Sequence, residues 1–212
     1  MTARKAIHKL RRHLRDYGLA RTLGRLALYP LSWLVRARNY RISRLDLTAD
    51  GAPTPGDSSL QYRIITADDG DVIGQIEAME EWLEGAVTPR LRAGDLCIAA
   101  LEDGRLAGFQ LVTFGRYIGA IDLMHTARPG SAWVYFVSVR HDLRRQGIAA
   151  ALLRRLVPAL RQRGVRRLYS GAMTFNRASL LNQQKAGYRE LVDVHYRRIL
   201  WISWRKYCRI AR

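Results

Sequence analysis

Apolar positions along this chain change period from two to about 3.6 and back, and the changes mark its elements. Leu60–Thr66 (LQYRIIT) reads as a strand. After Ala67-Asp68-Asp69, which offers a helix N-cap, Val72, Ile73, Ile76, Met79, Glu80 and Leu83 follow at helical spacing. Gly94–Leu101 (GDLCIAAL) and Leu106–Phe114 (LAGFQLVTF) are two apolar strands, joined through Asp103-Gly104 as a hairpin. Residues 115–131, with Gly115, Gly119, Pro129 and Gly130, are expected to be mostly loop. The central run WVYFVSV from Trp133 then enters a basic turn, RHDLRRQG, and a helix whose apolar stripe is Ile148, Leu152, Leu153, Leu156 and Leu160. Pro158 falls inside that helix and predicts a kink or an early stop. Val165–Met173 is a further strand, so residues 132–173 predict a parallel, right-handed strand–helix–strand unit. Asn176-Arg177-Ala178-Ser179 opens a helix that Gly187 ends. Glu190–Trp201 closes with one or two strands, and Trp204–Arg212 reads as a basic tail. The fold class is therefore mixed α/β, with a central mixed sheet flanked by helices.

The first 58 residues follow a different pattern. Residues 1–39 interleave arginines with helically spaced apolar positions, among them Leu10, Leu14, Leu19, Leu23, Leu26 and Leu34. Gly18, Gly24 and Pro30 weaken a continuous helix. The uncharged run Leu26–Val35 is too short for a bilayer span, which takes about 20 apolar residues. A basic amphipathic face of this kind fits an anionic membrane surface, the protein's own domain, or a second copy in a homodimer. Tyr40–Leu47 alternates as a strand would, and residues 48–59 (TADGAPTPGDSS) are loop chemistry. The expected boundary lies there, with a basic amphipathic extension and linker at 1–58 and a catalytic-type domain at 59–212.

Charge sharpens this division. The net charge is +18, of which residues 1–45 carry +11 and residues 189–212 carry +5. The middle is nearly neutral, which disfavours a nucleic-acid-binding core and points to an acidic partner for the ends. The two cysteines, Cys97 and Cys208, have neither metal-ligand nor disulfide-framework spacing. They fit a reducing compartment, so the expected location is the cytoplasm, peripherally at a membrane if residues 1–39 bind one. No metal site is expected.

The turn between the central strand and its helix carries the chemistry. Backbone N–H groups at a helix N-terminus attract anions, and Gly147 admits close approach. Arg144-Arg145-Gln146-Gly147-Ile148-Ala149 resembles the R/Q-x-x-G-x-G/A acyl-CoA-binding motif of the GNAT N-acetyltransferases, in the strand-to-helix context of that family. Asn176-Arg177-Ala178-Ser179 followed by Lys185-Ala186-Gly187-Tyr188 resembles the family's N-x-x-S/A…K-x-G-F/Y segment. The resemblance covers about two thirds of the chain and leaves out residues 1–58.

The resemblance implies an acyl-CoA-dependent N-acyltransferase, with acetyl-CoA as the default co-substrate and an amine as acceptor. It implies that the central strand splays from its neighbour near Val137–Val139, where backbone groups take the pantetheine arm and the Val137 N–H polarises the thioester carbonyl. Backbone N–H groups from Arg144 to Ala149 would take the pyrophosphate, and Asn176 and Ser179 the far side of the cofactor. The family's acid tyrosine falls at Gln183, and glutamine cannot act as an acid. Candidates for the acid or base are Tyr135, His125 and Glu80 or its neighbour Glu81. The alternative reading is a GNAT-like acyl-CoA-binding module without efficient catalysis, held at a membrane or another acidic partner. Each residue also has a plain structural reading: Tyr135 as a cleft wall, His125 as a surface histidine, Glu80 as a solvated helix face, and Asn176 as a helix cap.

Overall fold

The computed structural model describes residues 35–47, 60–118 and 124–210, with side chains for all of these except 116–118 and 124–126. The expected amphipathic segment before Val35 and the expected boundary loop at 48–59 lie outside the described residues.

The strands are β1 (Val35–Asp46), β2 (Gln61–Ile65), β3 (Leu96–Glu102), β4 (Arg105–Thr113), β5 (Arg116–Ile118), β6 (Met124–Thr126), β7 (Ser131–Val139), β8 (Arg167–Met173), β9 (Arg189–Ile199) and β10 (Ile202–Arg209). The helices are α1 (Gly70–Met79), α2 (Val87–Arg92), α3 (Ile148–Gln162) and α4 (Arg177–Lys185). Eight strands make one mixed sheet in the order β10-β9-β1-β8-β7-β4-β3-β2, while β5 and β6 pair with each other within the stretch expected to be loop. Among the described residues, the larger compact unit takes in those of 39–194 and 207–210, and a second takes in 35–38 and 195–206.

Strand β3 shows why its sequence is apolar at every position from Leu96 to Leu101 rather than alternating. Leu96, Ile98 and Ala100 face a core layer built with α3, whereas Cys97, Ala99 and Leu101 face one built with α1 and α2. A sheet covered on both faces leaves no polar side to its central strands. Leu152, Leu156 and Leu160 of α3 are fully buried in the first layer, each removing apolar area worth about 1.5–3 kcal/mol.

Three features differ from the sequence reading. Helix α3 runs unbroken through Pro158 to Gln162. Proline there removes one hydrogen bond, a cost of about 3 kcal/mol, and the buried stripe of Leu152–Leu160 outweighs it. The tail expected from Trp204 is instead β10, a paired strand. Strand β1, which precedes the 48–59 loop, pairs antiparallel with β8 from Tyr40↔Met173 to Asp46↔Arg167, inside the main sheet. Arg41 of β1 locks it to β9: its Nε and Nη2 donate to Asp193 at 2.7 and 2.8 Å, and its Nη1 to Glu190 at 2.8 Å. The bond to Asp193 is the main reason the Arg41 pKa is raised.

Candidate active site

The central strand opens where its sequence gives no outward sign. β7 and β8 pair in parallel from Ser131↔Arg167 to Val134↔Ser170, and the register stops there. β7 continues against β4 as far as Val139, and β8 continues against β1 as far as Met173. The strands therefore part after Val134, earlier than the expected Val137–Val139. On the other side of β7 the register with β4 shifts by one residue, Leu111 pairing with Phe136 and Val112 with Val134, so that Tyr135 is the bulged residue. Such a bulge bends and twists its strand, here away from β8. Val137 and Val139 follow on the unpaired edge, and Val137 is exposed.

That edge leads into the basic turn. His141–Leu143 forms one 3₁₀ turn, after which Arg144 is extended, Arg145 has φ 69° and Gly147 has φ 79°. The first intrahelical bond of α3 runs from the Ala151 N–H to the Gly147 carbonyl at 2.9 Å. Helix geometry gives the N–H groups of Ile148, Ala149 and Ala150 no acceptor inside α3, and Gly147, as N-cap, has no side chain to supply one. Nothing lies within 4 Å of where a Gly147 Cβ would project. The Arg144 Nε donates to the Val139 carbonyl at 3.2 Å, folding that side chain back onto the strand end, and Arg145 and Gln146 are exposed.

Asn176 caps α4, its Oδ1 accepting from the Ser179 N–H at 3.2 Å. The plain reading of Asn176 as a cap is therefore correct, and its amide N remains available. One turn further on, Gln183 is buried and its Nε2 donates to the Ser170 Oγ at 3.2 Å. Ser170 is the residue at which β8 leaves β7. Gln183 is thus held at the vertex of the opening, with its Oε1 buried and unbonded.

Glu80 is not on a solvated helix face. α1 stops at Met79, and Glu80 takes φ −132° and ψ 79°, which turns its side chain inward to 2 % exposure. Its Oε1 accepts from the Ser138 Oγ of β7 at 2.7 Å, and its Oε2 from the Trp82 Nε1 at 3.1 Å. Trp82 is exposed and meets Phe136 edge-on at 4.6 Å. Tyr135 lies on the same face of the sheet, with the Arg90 guanidinium 4.8 Å over its ring. Burial pushes the Tyr135 phenol pKa up, with Asp95 adding to the shift, so it keeps its proton at neutral pH. Glu81 begins a 3₁₀ turn beside Glu80. His125 falls in β6, and its side chain lies outside the described residues.

The structure thus brings Glu80, Tyr135 and Val137 to one strand, and the 144–149 turn and Gln183 to its open end. Sequence reasoning passed over Ser138, Ser170 and Trp82. Ser138 and Ser170 did carry a signal, being hydroxyls within apolar strand runs, where a buried polar group needs a partner. Among the described residues no cluster of His, Cys, Asp and Glu could hold a metal ion, and no helix is long and apolar enough to cross a membrane.

A family model for the acetyltransferase (GNAT) family matches residues 67–188. The chain belongs to the GNAT family. Its bulged, parting strand and open helix N-terminus lie within the matched span. No curated protein matches the chain. Among solved structures, a GNAT-family protein from Novosphingobium aromaticivorans superposes with a TM-score of 0.53 at 20% identity, over 76% of this chain and 64% of that one. A tandem GNAT protein from the clavulanic acid biosynthesis pathway gives 0.54 at 19% identity, over 89% and 60%. A GCN5-related N-acetyltransferase from Sphaerobacter thermophilus gives 0.52 at 20% identity, over 89% and 57%. These likenesses concern the fold. The chain spans less than two thirds of the length of each of these structures.

Proposed function

We infer that this GNAT protein is an acyl-CoA-dependent N-acyltransferase, with acetyl-CoA as donor and a primary amine as acceptor, acting in the cytoplasm. The observation that carries the reading is the parting of β7 from β8 after Val134↔Ser170, directly upstream of a helix start with free N–H groups. The residues present fit the cofactor. A thioester arm can lie along the unpaired edge at Val137 and Val139. The pyrophosphate can sit on the N–H groups of Ile148 and Ala149, over the clear space at Gly147, with Arg144, Arg145 and Gln146 around it and Asn176 and Ser179 opposite.

When bound, the acyl-CoA supplies the electrophilic thioester carbonyl. The chain's own groups do the rest. The Val137 N–H polarises that carbonyl. Glu80, held by Ser138 and Trp82, is the candidate to take up the acceptor's proton. Tyr135 carries a phenolic proton on the same strand and is the candidate donor to the leaving sulfur; burial raises its pKa and makes it a weaker acid than a free phenol. Exposed Trp82 beside Phe136 offers an apolar wall for the acceptor.

Calorimetric titration with acetyl-CoA and with CoA tests the reading. Wild type is expected to bind both, and Gly147→Trp to lose them, because an indole at φ 79° both strains the turn and fills the phosphate space. No binding by wild type, or equal binding by the variant, sinks it. A second reading, a cofactor-binding module without efficient catalysis, is favoured by Gln183 at the vertex, where the amide has no acidic proton to give. Turnover on any amine in a broad acceptor screen, abolished by Gly147→Trp, removes this second reading.

A further inference from the structure

The far end of the β9–β10 hairpin has no part in the chemistry above, and its composition is unusual for a tip in water. Ile199, Leu200, Trp201 and Ile202 are four consecutive apolar residues, and all are exposed, Trp201 by 83% and Ile202 by 62%. Trp204 is exposed as well. The loop between the two strands is Leu200-Trp201, and Leu200 sits at φ 51°. A two-residue hairpin loop in water favours Asn-Gly or Asp-Gly, which reach positive φ without strain. Here leucine takes the strained position, so the turn is built at a conformational cost to place large apolar groups at its apex.

A cationic collar stands directly below the apex. Arg197 and Arg198 precede the apolar run on β9, Arg205 and Lys206 follow it on β10, and no acid occurs from His195 to Lys206. Arg205 is steadied over the Tyr196 ring at 5.4 Å. At a strand rise of about 3.3 Å per residue, Arg205 and Lys206 lie roughly 13–17 Å below the apex, and Arg197 and Arg198, the nearer pair, roughly 7–10 Å. The spacing of the nearer pair matches the depth of about 5–10 Å to which interfacial apolar groups enter between the headgroups and the acyl chains. Tryptophan favours that same zone.

We propose that the Ile199–Trp204 tip inserts into the interface of an anionic lipid bilayer, with Arg197, Arg198, Arg205 and Lys206 held at the headgroup phosphates. A second copy of the chain fits less well, because tip-to-tip docking sets two such collars against each other. A nucleic acid would use the collar and leave Ile199, Leu200 and Ile202 in water. The inference is independent of the acyltransfer reading, since it uses none of the same residues. It also concerns a different segment from the basic stretch before Val35.

Full-length protein is sedimented with phosphatidylcholine vesicles with and without about one third phosphatidylserine. Binding is expected only to the anionic vesicles and is expected to weaken as salt is raised. The Trp201→Ser/Ile202→Ser and Arg198→Glu/Lys206→Glu double variants should each lower partitioning about tenfold or more. Thermal unfolding of Trp201→Ser/Ile202→Ser should be unchanged, because both side chains are exposed, and a Lys206→Glu single variant, also at an exposed position, separates the charge effect from any change in folding at half-buried Arg198. Acyl-chain-brominated lipid should quench wild-type tryptophan emission, and Trp201→Phe, which still binds, should lose much of that quenching. Failure of wild type to bind, or undiminished binding by both double variants, overturns the proposal. So does a wild-type dimer that Trp201→Ser/Ile202→Ser dissociates while vesicle binding stays the same.

Discussion

A carboxylate buried to 2 % must have donors on both oxygens, and Glu80 receives them from Ser138 and Trp82. This makes Ser138 a sensitive position. Ser138→Ala deletes the 2.7 Å donor to Oε1, which is expected to cost about 1–3 kcal/mol in urea unfolding. Glu80→Gln, which can still accept at Oε1 and removes the charge, should cost less. If Ser138→Ala is neutral while Glu80→Gln is severe, the carboxylate is held by something other than this bond. The sequence placed Glu80 among three candidates for proton transfer, with a solvated helix face as the plain alternative. Helical spacing carries on past Met79 in the sequence, and nothing local announces the φ −132° break that turns Glu80 inward. Cys97 shows the opposite case. Its apolar flanks already marked it as a core residue, and burial duly pushes its thiol up to about 12.

Elements were legible wherever periodicity was strong and both neighbours were apolar. The strand–turn–helix at Trp133–Gln162 is the best example, because composition, Gly147 and the leucine stripe all agree. The bulge at Tyr135 was not legible, since WVYFVSV contains only good strand formers and a bulge needs no glycine or proline. The place of β1 was hidden for another reason. Alternation at Tyr40–Leu47 indicates a strand but does not say which strand it joins, and a loop as long as 48–59 invites a boundary. One contact now explains the position of β1. The Tyr40 ring lies flat on Gly171 of β8, so that any Cβ at 171 would overlap it. Gly171→Ala should therefore force the ring aside and destabilise the protein by about 1–3 kcal/mol. Tyr40→Ala in the same background should relieve the clash, so the double variant should lose less than the sum of the two single losses, as measured by thermal unfolding. Additive losses would show that the ring does not depend on the glycine.

At the scale of the molecule, the sequence divides by charge and the sheet divides elsewhere. Residues 1–45 carry +11 of the net charge of +18, yet β1 begins among them and stands between β8 and β9 in the sheet order. Removing it would do more than shorten an edge. It would open the β8 edge beside the site, strip the ring from Gly171, and leave Asp193 and Glu190 without the guanidinium that binds both. Two partly buried carboxylates would then lose their shared cation, and breaking such a pair from one side costs more than the pair contributes. A chain beginning at residue 60 is therefore expected to lose its single cooperative thermal transition and, with it, calorimetric acetyl-CoA binding. A chain beginning at residue 35 is expected to retain both, since it keeps every described strand. Circular dichroism melts of the two truncations decide the matter. Cooperative unfolding of the shorter chain at the midpoint of the longer one would mean that β1 is an accessory to the domain, and that the charge boundary, not the sheet, marks where the GNAT domain begins.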